Sequence, residues 1–335
     1  MDSYIRNQLE GTVGSTTLQP RINWLIKLSK NFSGANSFSF LNDFKKVISI
    51  ISDTKSINTK WTRLSHIMQA IKSDPSLIDP EVLAKYTKFH KDLKEERDDK
   101  NRQNVKTKSQ EERLDLTLSD RQSQLDSKIE KLFQSKKVPY RAFTAASIKK
   151  IDHRFAKHLQ DLVVCGCYVY QEALRNDWGG IVIITSTRHR DLTDQNYLYT
   201  SGNVMRLYMN KYKNAKSMGH QKINVRPELM RLLKIWFSLI KFMTGSPAEH
   251  VLYYDIQTTK PKFAWLEKED SLRRYIPIAS EKVFGTPLSI NDYRHLWEVA
   301  IQQDPAYAHM TKEERLAIHA RLLHGEFAAS FYNVH

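Results

Sequence analysis

One charged segment, residues 94–124, constrains the folding of this chain more than any other feature. It is rich in acidic and basic residues, has few apolar residues and contains no aromatic residue. Such a composition cannot supply a hydrophobic core of its own. We predict a charged linker at 96–124 between a domain at 1–95 and a second at 125–335. The segment is either a solvated helix extension or an interdomain linker, and a direct nucleic-acid contact is the alternative.

The region before the charged segment has the period of amphipathic helices. Apolar residues lie three and four positions apart in INWLIKLSK, FLNDFKKVISIIS and TKWTRLSHIMQAIKS, and Ser, Asp and Pro residues separate these stretches. This pattern predicts a small helical bundle for the first domain.

In the region after the charged segment, the sequence pattern changes from helical to strand-like at Trp178. Helical patterns precede Trp178, whereas GGIVIITST is β-branched, and YLYTSG, NVMRLYMNKY and HQKINV are short strand-like pieces. Pro227 then suits the first turn of a helix, and the pattern from Leu288 onward is helical. We predict a mainly α chain with a small antiparallel sheet of about three strands, an α+β fold.

The charge balance concerns the partner of the protein. Lys and Arg total 52 against 37 Asp and Glu, a formal net charge of +15, which favours a polyanionic partner. The first twenty residues lack the pattern of a secretory signal, and no stretch approaches about 18 uncharged apolar residues. Cys165 and Cys167 lie in an apolar run and are typical of core residues in a reducing compartment. We therefore expect an intracellular protein that is not secreted and does not bind a membrane.

Common catalytic signatures, such as a Walker loop, HExxH or GxSxG, are absent. Basic residues and a tyrosine instead follow one another in a particular order. Arg175 lies in YQEALRNDWGGIVI, three lysines lie in MNKYKNAKSMGHQKINV, and Arg294 and His295 lie in LSINDYRHLWEVA. His324 and Tyr332 follow in RLLHGEFAASFYN. This order resembles the catalytic domain of tyrosine recombinases, the integrase family that cuts and rejoins DNA, over residues 145–332. The helical first domain is similar to the core-binding domain of that family.

The resemblance implies a role for each of these residues. Arg175 and Arg294 would clamp the scissile phosphate, since guanidinium groups stay charged and bind phosphate oxygens bidentately. Tyr332 would be the covalent nucleophile, and His324 would hydrogen-bond the phosphate. A lysine of the hairpin would protonate the departing 5′-hydroxyl. Lys213 is the best match for that lysine, Lys216 is the alternative and Lys211 is the weakest. Neither a metal nor another cofactor is required.

Two features depart from the family. The family commonly has His-x-x-Arg-His at the second arginine, whereas this chain has Asn291 at the first of these positions, and an amide cannot titrate. Either Asp292 or His295 supplies proton transfer, or the enzyme works with a weaker base. Only three residues follow Tyr332, so the chain is truncated or assembles through other surfaces than the terminal helix of many family members.

Basic residues cluster where the resemblance places DNA. The stretch from Met205 to Lys241 contains nine Lys and Arg residues and one acidic residue, Glu228. Such clusters suit phosphate contacts. The residues that we predict to bind DNA are Lys211, Lys222, Arg226, Lys60 and Arg63. The resemblance further implies a homotetramer on two DNA duplexes, from a virus or mobile element, in the host nucleus or cytoplasm or within a virion.

Two other functions remain open. A type IB topoisomerase shares the tyrosine chemistry and relaxes supercoils as a monomer. A non-catalytic DNA-binding protein of the same fold is favoured by Asn291 and the short tail. Among the remaining aromatic residues and histidines, we predict that Trp178, Trp236 and Trp297 are core residues, whereas His153, His158 and His319 are surface or capping residues.

Overall fold

A computed structural model describes residues 1–10, 15–103, 108–141, 143, 152–186, 193–253 and 269–323. The chain divides into two compact units, Met1–Val105 and Lys106–His335. Helices predominate in both units, and the second unit also contains a small sheet. The prediction of a mainly helical α+β fold is therefore confirmed.

The first unit is built from five described helices. They are α1 (Asp2–Leu9), α2 (Ser15–Ser29), α3 (Phe44–Ser52), α4 (Ile57–Ser73) and α5 (Pro80–Gln103), with 3₁₀ turns at Phe38–Asn42 and Pro75–Leu77. The Ser56 side chain caps α4 by accepting a hydrogen bond from the Thr59 backbone N–H at 3.3 Å. Tyr86 is buried and donates its hydroxyl hydrogen to the Leu41 carbonyl at 2.8 Å. This polar tie fixes α5 against the turn before α3.

The charged segment is divided between helices. Residues 96–103 continue α5, and α6 (Lys108–Arg113) and α7 (Leu118–Gln134) follow. Thr117 and Asp120 form a capping box that begins α7. Leu118 and Arg121 are buried, and Leu118 belongs to the core of the second unit. Residues 118–124 therefore belong to a packed helix of that unit, unlike the linker predicted over 96–124.

A buried helix, α8 (His153–Val169), forms the centre of the second unit. The other helices are α9 (Ala215–Met218), α10 (Pro227–Thr244), α11 (Glu269–Phe284), α12 (Ile290–Gln303) and α13 (Lys312–Arg321). Helices α7, α10, α11 and α12 all pack on α8. A Cβ atom at Gly166 would lie 2.8 Å from Leu232 Cδ2, so glycine permits the close approach of α8 and α10. Pro227 begins α10, as predicted.

The sheet has four strands in the order β1 (Val182–Ile184), β2 (Tyr197–Ser201), β3 (Val204–Met209) and β4 (Gln221–Asn224). Strands β2, β3 and β4 are antiparallel, whereas β1 is parallel to β2. The prediction of a purely antiparallel sheet of about three strands is therefore wrong for β1. Residues 185–196 separate β1 from β2, about the dozen residues that a parallel crossover requires.

The core of the second unit contains the three predicted tryptophans. Trp178, Trp236 and Trp297 are all buried. Trp236 donates its indole hydrogen to the Val251 carbonyl at 3.0 Å, and Trp297 donates to the Tyr168 carbonyl at 2.9 Å. Cys165 and Cys167 are buried and unbonded to each other, in agreement with the core assignment. These contacts position the segments that carry the candidate site.

Candidate active site

Arg294 lies where three segments of the second unit meet. It projects from the first turns of α12, which Ser289 and Asp292 begin with a capping box. The residue is only 1% exposed, and its Nη1 donates hydrogen bonds to the carbonyls of Ala173 at 2.7 Å and Leu322 at 2.8 Å. The guanidinium group therefore ties the segment before Arg175 to the segment before His324.

Arg175 lies at the start of the 3₁₀ turn Asn176–Gly180 and is half-buried. Its carbonyl accepts a hydrogen bond from the hydroxyl of buried Tyr168 at 2.8 Å. The ring of Tyr168 stacks on Tyr293, with centroids 5.5 Å apart. Since Tyr293 immediately precedes Arg294, this stack joins the backbone around the two arginines.

Asp177 connects the two guanidinium groups electrostatically. Burial raises the pKa of the Asp177 carboxyl to about 6, while backbone N–H groups and the charges of Arg175 and Arg294 favour its ionised form. Both arginines are thus close enough to Asp177 to influence its charge. A carboxylate whose pKa is raised near two cations is typical of a functional site, although structural networks also produce such shifts.

The hairpin connection at 210–220 carries the three candidate lysines. Lys211, Lys213 and Lys216 are all exposed. Asn196 fixes the base of the connection, because its Oδ1 accepts the backbone N–H groups of Asn210 and Lys211 at 2.8 Å each. The lysines therefore project from an anchored loop.

Two observations place this connection beside the arginines. Burial raises the pKa of Tyr212, and the negative charge of Asp177 also contributes to that rise. Asn214 Nδ2 donates a hydrogen bond to the Leu323 carbonyl at 3.0 Å. The backbone on either side of Lys213 therefore lies near Asp177 and the Leu323 carbonyl, and the Lys213 side chain itself is exposed.

His324 and Tyr332 lie outside the described residues. The two residues before His324 are described, and both are anchored through their carbonyls by Arg294 and Asn214. Leu323 has a φ of 55°, in the left-handed region that a residue with a side chain seldom adopts. The chain thus makes a sharp turn immediately before His324, and hydrogen bonds to the Leu322 and Leu323 carbonyls fix this turn.

The residues around the second arginine have different environments. Asn291 is exposed and His295 is half-buried. Asp292 is 4% exposed, and its Oδ2 accepts the Ser289 backbone N–H at 2.8 Å and the Arg113 Nε–H at 3.1 Å. Its carboxylate therefore caps α12 and pairs with Arg113, which gives Asp292 a structural role.

The predicted DNA contacts are not equivalent. Lys222 is exposed on β4, and Lys60 and Arg63 are half-buried on α4 of the first unit. Arg226 instead pairs with Glu172 at 2.6 Å, and its guanidinium lies 4.8 Å from the centre of the Trp297 ring. Glu172 therefore compensates part of the charge that the sequence assigned to DNA at this position.

One histidine assignment is wrong. His158 is exposed, in agreement with the prediction, but His319 on α13 is fully buried. Its Nε2 lies 2.8 Å from the Tyr307 hydroxyl, and its Nδ1 lies 3.3 Å from Glu298 Oε1. His319 therefore holds α13 against α12 in place of the predicted surface or capping role. The fold brings a buried acid from α12 to this helix, a contact that local sequence does not display.

Asp177 and Asn214 are the candidate site residues that sequence reasoning missed. Asp177 lies two positions after Arg175, and Asn214 directly follows Lys213. The available signal was that each residue lies within two positions of a predicted site residue, Arg175 or Lys213. However, Asp and Asn are common turn residues, so the signal was indistinguishable from turn chemistry.

Among the described residues, no cluster of three or more His, Cys, Asp or Glu side chains is arranged to hold a metal ion. Within the same ranges, none of the helices has the length and apolar character needed to cross a bilayer. No protein-family model matches the chain, and no curated protein matches its sequence.

Proposed function

We propose that this protein cleaves and rejoins double-stranded DNA through a phosphotyrosyl intermediate, as a site-specific recombinase or integrase. The observation that carries the proposal is the arrangement around Asp177. Arg294 and Asn214, from two separate segments, donate hydrogen bonds to the Leu322 and Leu323 carbonyls just before His324, and the charges of Arg175 and Arg294 both act on Asp177.

The proposed chemistry follows from the charge that a phosphodiester acquires during cleavage. Tyr332 gives its hydroxyl proton to His295 as its oxygen bonds to the phosphorus, and the bond between the phosphorus and the 5′-oxygen breaks. Negative charge grows on the non-bridging oxygens, and guanidinium groups held in place before the reaction stabilise it. Arg294 suits this task because its two backbone hydrogen bonds fix its guanidinium group before DNA binds.

Proton transfer to the leaving group falls to Lys213. This side chain is exposed at the end of an anchored connection, where it can reach a bound duplex. The 5′-oxygen takes the lysine proton as the bond breaks, and the same hydroxyl can later attack the phosphotyrosine in reverse. Asp177 lies in the positive potential of the two arginines, and a bound phosphate would compete with it for that potential.

The wider assignment is part of the proposal. The protein acts inside the cell, in the host nucleus or cytoplasm or in a virion, and assembles as a homotetramer on two duplexes. Exposed Lys211 and Lys216 would contact phosphates. Such contacts position DNA without reading its sequence.

The test is incubation of the full chain with a nicked suicide duplex, followed by denaturing electrophoresis. We expect a covalent protein–DNA adduct with the wild type and none with Tyr332→Phe. Tyr199→Phe makes the same chemical change on the sheet and should form the adduct normally. Absence of an adduct with the wild type, or an equal adduct with Tyr332→Phe, contradicts the proposal.

A second assay separates the alternatives. Supercoiled plasmid and a pair of duplexes are offered to the adduct-forming protein. Strand exchange between duplexes supports a recombinase, whereas relaxation by a monomer without exchange identifies a type IB topoisomerase. Tight duplex binding with no adduct identifies a non-catalytic DNA-binding protein.

A further inference from the structure

The outer face of the sheet carries a pattern that the cleavage chemistry does not use. Strands alternate their side chains between two faces, and Leu198, Leu207 and Ile223 point into the core of the second unit. The residues between them point the other way. Four of these residues form what we call the tyrosine-basic face: Tyr199 on β2, Arg206 and Tyr208 on β3, and Lys222 on β4. Tyr197 lies on the same side but is buried.

The four side chains are accessible. Lys222 is exposed, and Tyr199, Arg206 and Tyr208 are each partly exposed. Val204, at the edge of the same face, is 44% exposed. Tyrosine is a common strand residue, so the rings alone indicate no ligand. The feature that distinguishes this face is the pairing of each accessible ring with a long cation.

The strand register places one cation beside each ring. Tyr199 is directly opposite Arg206, and Tyr208 is directly opposite Lys222. The Lys222 ammonium lies 5.5 Å from the centre of the Tyr208 ring. Arg206 Nε donates to Asn224 Oδ1 at 2.8 Å, which ties the guanidinium group to the neighbouring strand β4. Arg206 and Tyr208 are two residues apart on β3, and Tyr199 is opposite Arg206. The two tyrosines are therefore diagonal neighbours on adjacent strands, about 7–8 Å apart.

The charge of the face indicates an anionic occupant. Asp194 lies at the edge and is engaged by the Tyr197 hydroxyl at 2.5 Å. The cationic character continues beyond the strands, because β3 leads into Lys211 and Lys213 and β4 follows Lys216. A protein partner of apolar character would have to bury Arg206 and Lys222, which makes such a partner unfavourable.

The rings select among anionic occupants. Phosphate groups of a duplex satisfy cations but present no free base faces to an aromatic ring. Single-stranded DNA offers both, since its unpaired bases stack on aromatic side chains while its phosphates meet cations. We propose that the tyrosine-basic face binds single-stranded DNA, with bases stacked on Tyr199 and Tyr208 and phosphates held by Arg206 and Lys222. This binding needs neither Tyr332 nor the cleavage chemistry.

The test measures the affinity of the full chain for fluorescent oligo(dT) of about 16 nucleotides, the upper end of common site sizes. Fluorescence anisotropy is recorded at one fixed salt concentration. Tyr199→Leu and Tyr208→Leu should each weaken binding by about 5- to 150-fold, the range for loss of one stacked base. Tyr199→Phe and Tyr208→Phe keep the rings and should bind within about 2-fold of the wild type, because stacking does not need the hydroxyl.

Matched controls distinguish the face from general charge and from the cleavage site. Lys222→Gln should weaken oligo(dT) binding, whereas Lys241→Gln removes an equal charge from the exposed end of α10 and should not. Tyr332→Phe should retain full oligo(dT) affinity, so failure of the cleavage proposal leaves this one standing.

Three results would overturn the inference. The first is unchanged oligo(dT) affinity in folded Leu variants. The second is an equal loss of affinity for duplex and single-stranded DNA in those variants. The third is an equal effect of Lys222→Gln and Lys241→Gln. If a Leu variant does not fold, as judged by its urea midpoint, the lysine pair still decides.

Discussion

Replacing Arg294 with methionine tests whether the second arginine is built into the fold. Methionine keeps much of the length of the side chain and removes both hydrogen bonds to the Ala173 and Leu322 carbonyls. A hydrogen bond from a charged group contributes about 1.5–3 kcal/mol, so loss of two should lower the free energy of unfolding by about 3–6 kcal/mol. That is a large share of the 5–15 kcal/mol of a typical domain. Arg294→Lys keeps the charge and should lose about half as much.

Urea unfolding, followed by tryptophan fluorescence, measures this loss. Arg231→Met is the matched control, because Arg231 is exposed on α10 and should change stability by at most about 0.5 kcal/mol. A shift of the midpoint at constant slope reports stability itself. If Arg294→Met unfolds within about 1 kcal/mol of the wild type, the two carbonyl contacts do not hold the segments together, and the fixed guanidinium group assumed in the cleavage proposal is refuted.

Three further perturbations probe the site and the first unit. Asn214→Ala removes the hydrogen bond to the Leu323 carbonyl. We expect adduct formation to slow by at least about 10-fold at saturating DNA, because a loss of about 1.4 kcal/mol in positioning corresponds to that factor. The urea midpoint should change little. Burial holds the pKa of folded Asp177 at about 6, above its ordinary 3.8, so the folded state binds more protons between these values and stability should fall as the pH rises from about 4 to 6. Asp177→Asn should remove this part of the slope in urea titrations at several pH values, and an unchanged slope would contradict it. His66 shows the reverse behaviour: burial, aided by the charge of Arg21, lowers its pKa to about 4, so stability should fall as the pH drops from 6.5 to 4. His66→Gln should flatten that decline, whereas an equally steep decline would exclude His66 as its source.

Much of the local structure was predictable because it depends on near neighbours in the chain. The helical period of TKWTRLSHIMQAIKS indicates α4, and Ser56 caps this helix three residues before that stretch begins. Pro227 begins α10 because a ring-fixed φ and a missing N–H suit the first turn. The burial of Trp178 and Trp236 follows from their large apolar surface.

The direction of β1 could not be predicted, because strand polarity depends on the path of the chain between strands. A β-branched run such as GGIVIITST indicates a strand in either direction. The burial of residues in the charged segment could not be predicted for a related reason. Leu118 and Arg121 lie among polar residues, yet both are buried because α7 packs on α8.

The sequence by itself determined the residue types, their order and the excess of positive charge, since these need no geometry. It therefore predicted helices, a small sheet and a set of basic residues suited to a phosphate. Only the tertiary structure decided which charged side chains are exposed and which are paired with another residue or fixed by backbone carbonyls. Asp292 caps its helix and pairs with Arg113, Arg226 pairs with Glu172, and Arg294 is fixed by the carbonyls of Ala173 and Leu322. These partners lie far apart in the chain, and a charge is neutralised or oriented only by groups that folding brings within a few ångströms.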